Sequence, residues 1–422
     1  MKLERKLAMR NLLRNRQRSL LTSIMIVATV SLMILFQGLS DGGHRAMVDI
    51  GIKMGLGHVL VYQQGYNDDP SLEHLLVDAA ATGQQLQQSV PELTHMVRRL
   101  HLNGLIQAGA NGVPITLAGV DPGLEVQVSR IADRKSMTAG QTLAELPRER
   151  SGNGLPGIVI GEQLARNLEV GLGDRVTVSV KPKGSSDLSR EAFLVTGIFK
   201  TGMQELDAFW AELDIADAQR LARLGQEVSV LALYLDDVEK VGPVAARLSS
   251  QLPAGKYEVL RWDQVAPELH SAVMLDAAGM YLLMVIVFVV VAAAILNTIL
   301  ISVMKRTREF GVMLALGASP ALVVRVVFWE ALFLALFCIA LGGALGYAGH
   351  YHFATEGLNF REVFGTTLEA GGVLLPDRFF SFIYPGKLAF SLLFVLLLTL
   401  LVTIYPAIRA SRLAPVEATR HG

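Results

Sequence analysis

Met304-Lys305-Arg306-Thr307-Arg308-Glu309-Phe310-Gly311-Val312-Met313-Leu314-Ala315-Leu316-Gly317-Ala318-Ser319-Pro320 lies between two long apolar runs, Ala277–Val303 and Ala321–Tyr347. About 20 residues rising about 1.5 Å each cross the roughly 30 Å hydrocarbon core of a bilayer, so each run is long enough to span it. A connector this short makes the two spans an antiparallel pair, and its charges report the side on which it lies.

Two further apolar runs, Ser19–Leu39 and Leu388–Ile408, bring the number of expected spans to four. The composition agrees: 51% of the 422 residues are apolar, and the mean hydropathy is +0.41, high for a chain that folds in water alone. Basic residues set the orientation. Lys2, Arg5, Lys6, Arg10, Arg14, Arg16 and Arg18 precede the first span, Lys305, Arg306 and Arg308 fill the connector, and Arg409, Arg412 and Arg420 follow the last span. With four spans all three segments share one side, and the positive-inside rule makes that side cytoplasmic. The exit of the first run, Gly38-Leu39-Ser40-Asp41, is a poor cleavage site, so an uncleaved anchor is expected rather than a signal peptide.

The expected organisation follows. Residues 1–18 form a cytoplasmic amphipathic elbow helix, with Leu3, Leu7, Leu12 and Leu13 among basic residues. Spans occupy 19–40, 277–303, 321–348 and 388–408. The connector is 304–320, the outer segment between spans three and four is 349–387, and the tail is 409–422. The stretch 41–275 reads as a large extracytoplasmic α+β domain. In it, 41–120 gives a strand at His58–Gln63, a helix at Ser71–Ser89, and strands at His95–Gln107 and Val113–Val120. Residues 226–275 give strand, helix, strand at Val228–Leu235, Val238–Leu252 and Tyr257–Trp262. The two β-α-β units are expected to pair as a split layer, with 121–225 as a β-rich insertion.

Chemistry is scarce in the sequence. No G-x-x-x-x-G-K-[ST] loop occurs; Tyr384-Pro385-Gly386-Lys387 lacks the earlier glycine and is followed by Leu388. There is no H-E-x-x-H or G-x-S-x-G motif, the histidines lack helical metal spacing, and the single Cys338 sits in an apolar run. With 38 basic and 38 acidic residues, nothing points to a nucleic-acid partner. Within the spans, Asn297 and Thr298 are expected to bond to a neighbouring helix. The run Gly342-Gly343-Ala344 with Gly346 is expected to form a close helix contact, and Pro406 to bend or stop the last span.

In the connector, Arg306, Arg308 and Glu309 are expected to face water, beside an apolar stripe of Phe310, Val312, Met313 and Leu316. Gly311 and Gly317 allow close approach or a helix end. Val303–Ala318 resembles the V-x-x-R-x-x-E-[IF]-G-x-x-x-A-x-G-A signature of the MacB/LolC/LolE/FtsX permeases. Arg10-Asn11-Leu12-Leu13-Arg14-Asn15-Arg16 resembles the N-terminal elbow of that family. Pro406–Arg420 resembles its C-terminal motif, with Thr419 where leucine is usual.

The resemblance implies an ABC-transporter permease, not itself an enzyme, whose ATP and Mg are bound by a dimer of separate ATPase subunits. It also implies a second permease copy or paralogue. Lys305, Arg306, Arg308, Glu309, Phe310, Gly311, Leu314, Gly317 and Ala318 would form the coupling helix docked on the ATPase. The outer domain resembles a porter subdomain with an insertion. Gly57–Tyr62 and the lack of a fused ATPase resemble the LolC/LolE branch. That branch implies lipoprotein cargo, a periplasmic carrier, and an inner-membrane location with both termini cytoplasmic. Cargo contact is then expected near Val30, Ile34, Phe36, Tyr281, Val285 and Val289, in the company of membrane lipids. Two rivals stay open: a MacB-like machine driving periplasmic cargo, and an FtsX-like regulator of a cell-wall hydrolase.

Overall fold

The computed structural model describes residues 2–14, 16–146, 154–359, 362, 369–370, 373–374 and 378–411. It divides into two compact units. The first gathers residues up to Ala46 with most of the chain after Met274 and contains the spans. The second, Met47–Val273 with Thr367–Leu375, is the α+β domain.

Four helices are long and apolar enough to cross a membrane. We call them S1 (Arg16–Gly51), S2 (Pro267–Lys305), S3 (Pro320–Thr355) and S4 (Pro385–Ser411). An elbow helix, Lys2–Arg14, precedes S1. S1 has 36 residues and S2 has 39, so each is far longer than the roughly 20 needed to cross the core. The apolar run therefore locates a span without locating the end of its helix. S4 runs through Pro406 to Ser411, so this proline does not stop it. Thr403 Oγ1 donates to the Thr399 carbonyl at 2.7 Å, and Thr399 Oγ1 to the Val395 carbonyl at 2.8 Å. Side-chain back-bonds of this kind slightly weaken a helix and often bend it.

The glycines of S3 meet S1. A Cβ on Gly342 would lie 2.8 Å from the Val27 carbonyl oxygen and 2.9 Å from Val30 Cβ. One on Gly346 would lie 2.9 Å from Ile34 Cβ. Ser31 Oγ donates to the Gly342 carbonyl at 3.0 Å. Small residues thus bring two backbones together where no hydrophobic driving force separates helix from lipid. Gly342→Ala should cost about 1–3 kcal/mol by overpacking and lower the thermal stability of the detergent-purified chain. An unchanged melting curve would refute this close packing.

The α+β domain is built on one ten-stranded sheet: β1 (Val59–Gln63), β2 (Leu93–Ala108), β3 (Asn111–Val120), β4 (Met137–Gly140), β5 (Gly157–Gly161), β6 (Arg175–Val180), β7 (Ser189–Phe199), β8 (Trp210–Asp214), β9 (Val230–Leu235) and β10 (Tyr257–Arg261). β1 lies between β10 and β9, and β9 pairs with the first half of β2, all antiparallel. Helices Ala79–Ser89 and Val241–Gln251 connect β1 to β2 and β9 to β10. The order β10-β1-β9-β2 is that of two interleaved β-α-β units. Every residue of β9, Val-Leu-Ala-Leu-Tyr-Leu, is buried, as an uninterrupted apolar strand requires.

Residues 121–225 do not form a separate sheet. β2 bends on past β9 and pairs with β3 and β6. From there β3 pairs with β8, β8 with β5, β5 with β7 and β7 with β6. This closes a six-stranded ring, β2-β3-β8-β5-β7-β6, which removes the sheet edges there. A dividing line at residue 121 falls inside that ring, because β2 and β3 belong to it as well. The expected helix over Ser71–Ser89 is also shorter, starting at Ala79. Leu75 and Leu76 are buried from an irregular turn, Leu76 bridging to Val228.

Between S3 and S4, β11 (Leu358–Asn359) pairs with β14 (Arg378–Phe379), and β12 (Glu369–Ala370) with β13 (Val373–Leu374). The C-terminal motif beyond Ser411, Asn15 of the elbow motif and the side chain of Thr298 lie outside the described residues. Asn297 is exposed on this chain.

Candidate functional site

The connector is a helix, Thr307–Ala315, with a defined start and stop. At its end, Gly317 has φ +88°, Ala318 N–H donates to the Met313 carbonyl, and Gly317 N–H donates to the Leu314 carbonyl, each at 3.0 Å. These two bonds are the Schellman pair, which needs a left-handed residue at the glycine. Ser319 and Pro320 then start S3, proline taking the first turn where its missing N–H is harmless. Leu-Gly-Ala-Ser-Pro is therefore a stop followed at once by a start.

One face of this helix is held from within. Phe310 is fully buried, packed with Val303 of S2, Val323 and Val327 of S3, and Ala407 and Ala410 of S4. Arg306 is 7% exposed. Its Nη1 donates to Glu330 Oε2 at 2.8 Å and Oε1 at 3.2 Å, and its Nε donates to Glu309 Oε2 at 3.1 Å. Its guanidinium also lies 5.0 Å from the Phe310 ring centroid. Bonds from two of its nitrogens to two different carboxylates fix the guanidinium in orientation as well as position.

This corrects the expected facing. Arg306 and Phe310 point into the bundle, and Gly311 is buried beside them; Met313 and Leu314 are half-buried against the same cluster. The outer face carries Lys305, Arg308, Val312, Ala315, Leu316 and Gly317, with Ala318 partly covered. Leu316 is 83% exposed. Positions 308, 312 and 316 follow the i, i+4 spacing of a single helix face, so a cation and two apolar side chains line one outward stripe.

Glu330 is the residue that sequence reasoning overlooked. It is the sole carboxylate in the run 321–347, and an ionisable group within a span calls for a partner. Its neighbour Trp329 receives Arg5 of the elbow helix, the guanidinium 4.3 Å from the ring centroid. Buried Glu4 pairs with Arg325 at 3.3 Å. The same end of S3 therefore anchors both the elbow helix and the connector.

The expected cargo residues divide into two sets. Val30 and Ile34 are buried against S3 and open to nothing. Phe36, Tyr281, Val285 and Val289 are between 51% and 63% exposed. A helix apolar on every side has no periodicity to show which of its faces is covered.

Comparison with known proteins gives a consistent picture. A family model described as a MacB-like periplasmic core domain matches residues 19–251, and one described as the FtsX-like permease C-terminal region matches residues 281–415. The lipoprotein-releasing system transmembrane protein LolC of Neisseria meningitidis serogroup B is 27% identical over 312 residues, covering 73% of each chain. The corresponding protein LolE of Haemophilus influenzae is 25% identical over 338 residues, covering 79% of this chain and 78% of that one. The macrolide export ATP-binding/permease protein MacB of Shewanella sp. is 22% identical over 384 residues, covering 86% of this chain and 55% of the relative.

Proposed function

The chain belongs to the family marked by a MacB-like periplasmic core domain, here joined to an FtsX-like permease C-terminal region, and from that premise we propose that it is the permease subunit of an ABC transporter that releases lipoproteins from the bacterial inner membrane. ATP and Mg are bound by separate ATPase subunits. A second permease, identical or paralogous, completes the membrane part, and a periplasmic carrier accepts the cargo. The relatives named as lipoprotein-releasing transmembrane proteins support this branch.

The observation that carries the reading is the two-faced connector. Its inner face is clamped to S2, S3 and S4 by Phe310 and the Arg306–Glu330 pair. Its outer face, Arg308–Val312–Leu316, is exposed among the described residues. A helix rigidly joined to the spans and open on one side receives a push from a docked ATPase and passes it on. In this reading the connector and both termini lie in the cytoplasm, and Lys305, Arg308, Ala318 and the exposed apolar residues make the contact. Arg306, Glu309, Phe310, Gly311, Leu314 and Gly317 hold its shape. Phe36, Tyr281, Val285 and Val289 offer an apolar wall to acyl chains.

Leu316→Asp tests the docking face, because it alters an exposed position and leaves the clamp intact. We expect normal insertion, ATPase binding weakened about tenfold or more, and lipoproteins retained in the inner membrane on depletion-and-replacement. Drug sensitivity without lipoprotein retention would instead favour a MacB-like exporter, and chaining cells with neither would favour an FtsX-like regulator.

A further inference from the structure

At the far end of the spans from the connector, a small pocket opens between S1, S2 and S4. Gln37, Asp41 and His44 of S1 form its polar wall. Met280, Tyr281 and Met284 of S2 form its apolar wall, and Lys387 of S4 borders it. Asp41 is 5% exposed. One of its oxygens, Oδ1, accepts from Lys387 Nζ at 2.7 Å. The other, Oδ2, is buried with no donor among the described residues, and so is Gln37 Oε1. His44 Nε2 is 2.7 Å from Asp276 Oδ2, which leaves that carboxylate engaged elsewhere.

Buried acceptors are nearly always paired, because each unpaired one costs the desolvation of a polar group. Here two stand together. Gln37 and Asp41 are four residues apart on S1, hence neighbours on one face, and both line the same pocket. Two unpaired acceptors on residues that border one small space suit a group with several donors. The charges narrow the choice further. A carboxylate with one oxygen on Lys387 and the other unpaired, beside an amide oxygen, suits a donor that is itself cationic. A primary ammonium, with three donors and one positive charge, satisfies both requirements.

The surroundings place that ammonium on a lipid. Gln37 and Asp41 sit at the end of the apolar run Ser19–Leu39, where hydrocarbon gives way to head groups. Phe36, Tyr281, Val285 and Val289 continue from the pocket as exposed apolar surface. We propose that Gln37 and Asp41 form a site for the primary ammonium of an acylated amphiphile whose chains lie along the exposed faces of S1 and S2. Two sources share this chemistry: an ethanolamine phospholipid, and a lipid-anchored peptide with a free amine beside its acyl chains. The proposal deepens the cargo reading by naming the head-group chemistry at that place. It rests on that reading only for which of the two sources matters in transport.

The test uses the full chain purified in detergent, with bound lipid read by native mass spectrometry. Equal amounts of dioleoyl phosphatidylethanolamine and dioleoyl phosphatidylcholine are offered, the second having no N–H. We expect the ethanolamine lipid to be retained about tenfold or more over the choline lipid, as a charge-assisted hydrogen bond allows. Asp41→Asn and Gln37→Leu should each bring the ratio close to one. Equal retention by the unaltered chain would overturn the proposal whether or not either variant folds, and so would a preference that survives both substitutions. A synthetic diacylated lipopeptide with a free amine is then added as competitor, beside its N-acylated form. Displacement by the free amine alone supports a peptide source, and displacement by neither supports a phospholipid. A site that binds ethanolamine lipid while depletion leaves lipoprotein release intact would uphold the site and defeat the cargo reading.

Discussion

Glu330→Gln is expected to leave the chain inserted and to loosen the connector, with loss of coupled transport as the largest functional effect among the substitutions considered. Arg306 is 7% exposed and its guanidinium spans Glu330 and Glu309. Removing the Glu330 charge leaves Arg306 with Glu309, which is itself 41% exposed at the side chain. Breaking a buried pair by removing one partner costs up to about 3–5 kcal/mol, and the bond to Glu309 offsets part of that here. A loss of that order loosens the helix beside Phe310, whose contacts tie it to S2, S3 and S4. ATPase activity should then proceed without cargo release. Arg306→Met should behave alike, while the double variant Arg306→Met with Glu330→Gln should recover part of the lost stability, since no unpaired charge remains. Cysteine cross-linking between positions 312 and the ATPase, compared with release of lipoprotein into a carrier-containing buffer, reads docking and coupling separately. Coupled release at the normal rate in Glu330→Gln would show that the clamp is dispensable.

The course of the chain is more legible in its sequence than the direction of its side chains. Four apolar runs and three basic clusters mark the spans because hydrocarbon penalises charge in every context. Gly317-Ala318-Ser319-Pro320 reads as a break because glycine and proline act locally. Arg306 is different. Its direction is decided by Glu330, 24 residues on and in another helix, and local spacing cannot express a partner that distant. Glu330 itself was the available signal, one acid in a long apolar run. Val30 and Ile34 are covered for a related reason: what packs on them is Gly342 and Gly346 of S3, and nothing in S1 itself records it.

The soluble domain shows the same limit. The strands His58–Gln63, Arg175–Val180 and Tyr257–Trp262 are visible from alternation and turns. β8 and β4 are short and flanked by helical turns, and alternation over four or five residues does not mark them. The return of β6 to β2, which closes the ring, joins residues more than 70 positions apart (Gly104 with Val180). The sequence of β2 does mark this pairing, in Gly104, where a Cβ would lie 2.7 Å from the Ser179 carbonyl oxygen of β6.

Arg99 provides the second large effect, in the α+β domain. It is 2% exposed. Its Nη2 donates to Glu125 Oε1 at 2.6 Å and to the Tyr234 hydroxyl at 2.8 Å, and its Nη1 donates to the Gly55 carbonyl. Gly55 has φ +112° in the irregular turn that ends the helix preceding β1. One guanidinium thus joins that turn, β9 and the helix Pro122–Val128. Arg99→Met removes the charge and keeps most of the volume, so Glu125 is left buried without its cation, and a loss of about 3–5 kcal/mol is expected. Faster hydrogen exchange in β2 and β9 of the full chain, with the spans unaffected, is the measurement that reports it.

The same cluster predicts a pH dependence. Burial, with Glu125 adding to it, pushes the Glu212 carboxyl up to about 8. From its ordinary 4.5 to that value the folded domain holds a proton that the unfolded chain has released, so stability falls as pH rises through the window. His101 acts in the opposite sense. Burial, and then Arg99, bring it down from 6.5 to about 4, so stability rises with pH across that interval. Between about pH 4.5 and 6.5 the two slopes oppose each other; above 6.5 only Glu212 remains, and protection of β2 and β9 should decline until about pH 8. Glu212→Gln should abolish this decline and uncover the His101 rise between about pH 4.5 and 6.5 that Glu212 otherwise offsets. A variant that still loses protection above pH 6.5 would assign the titration to another group.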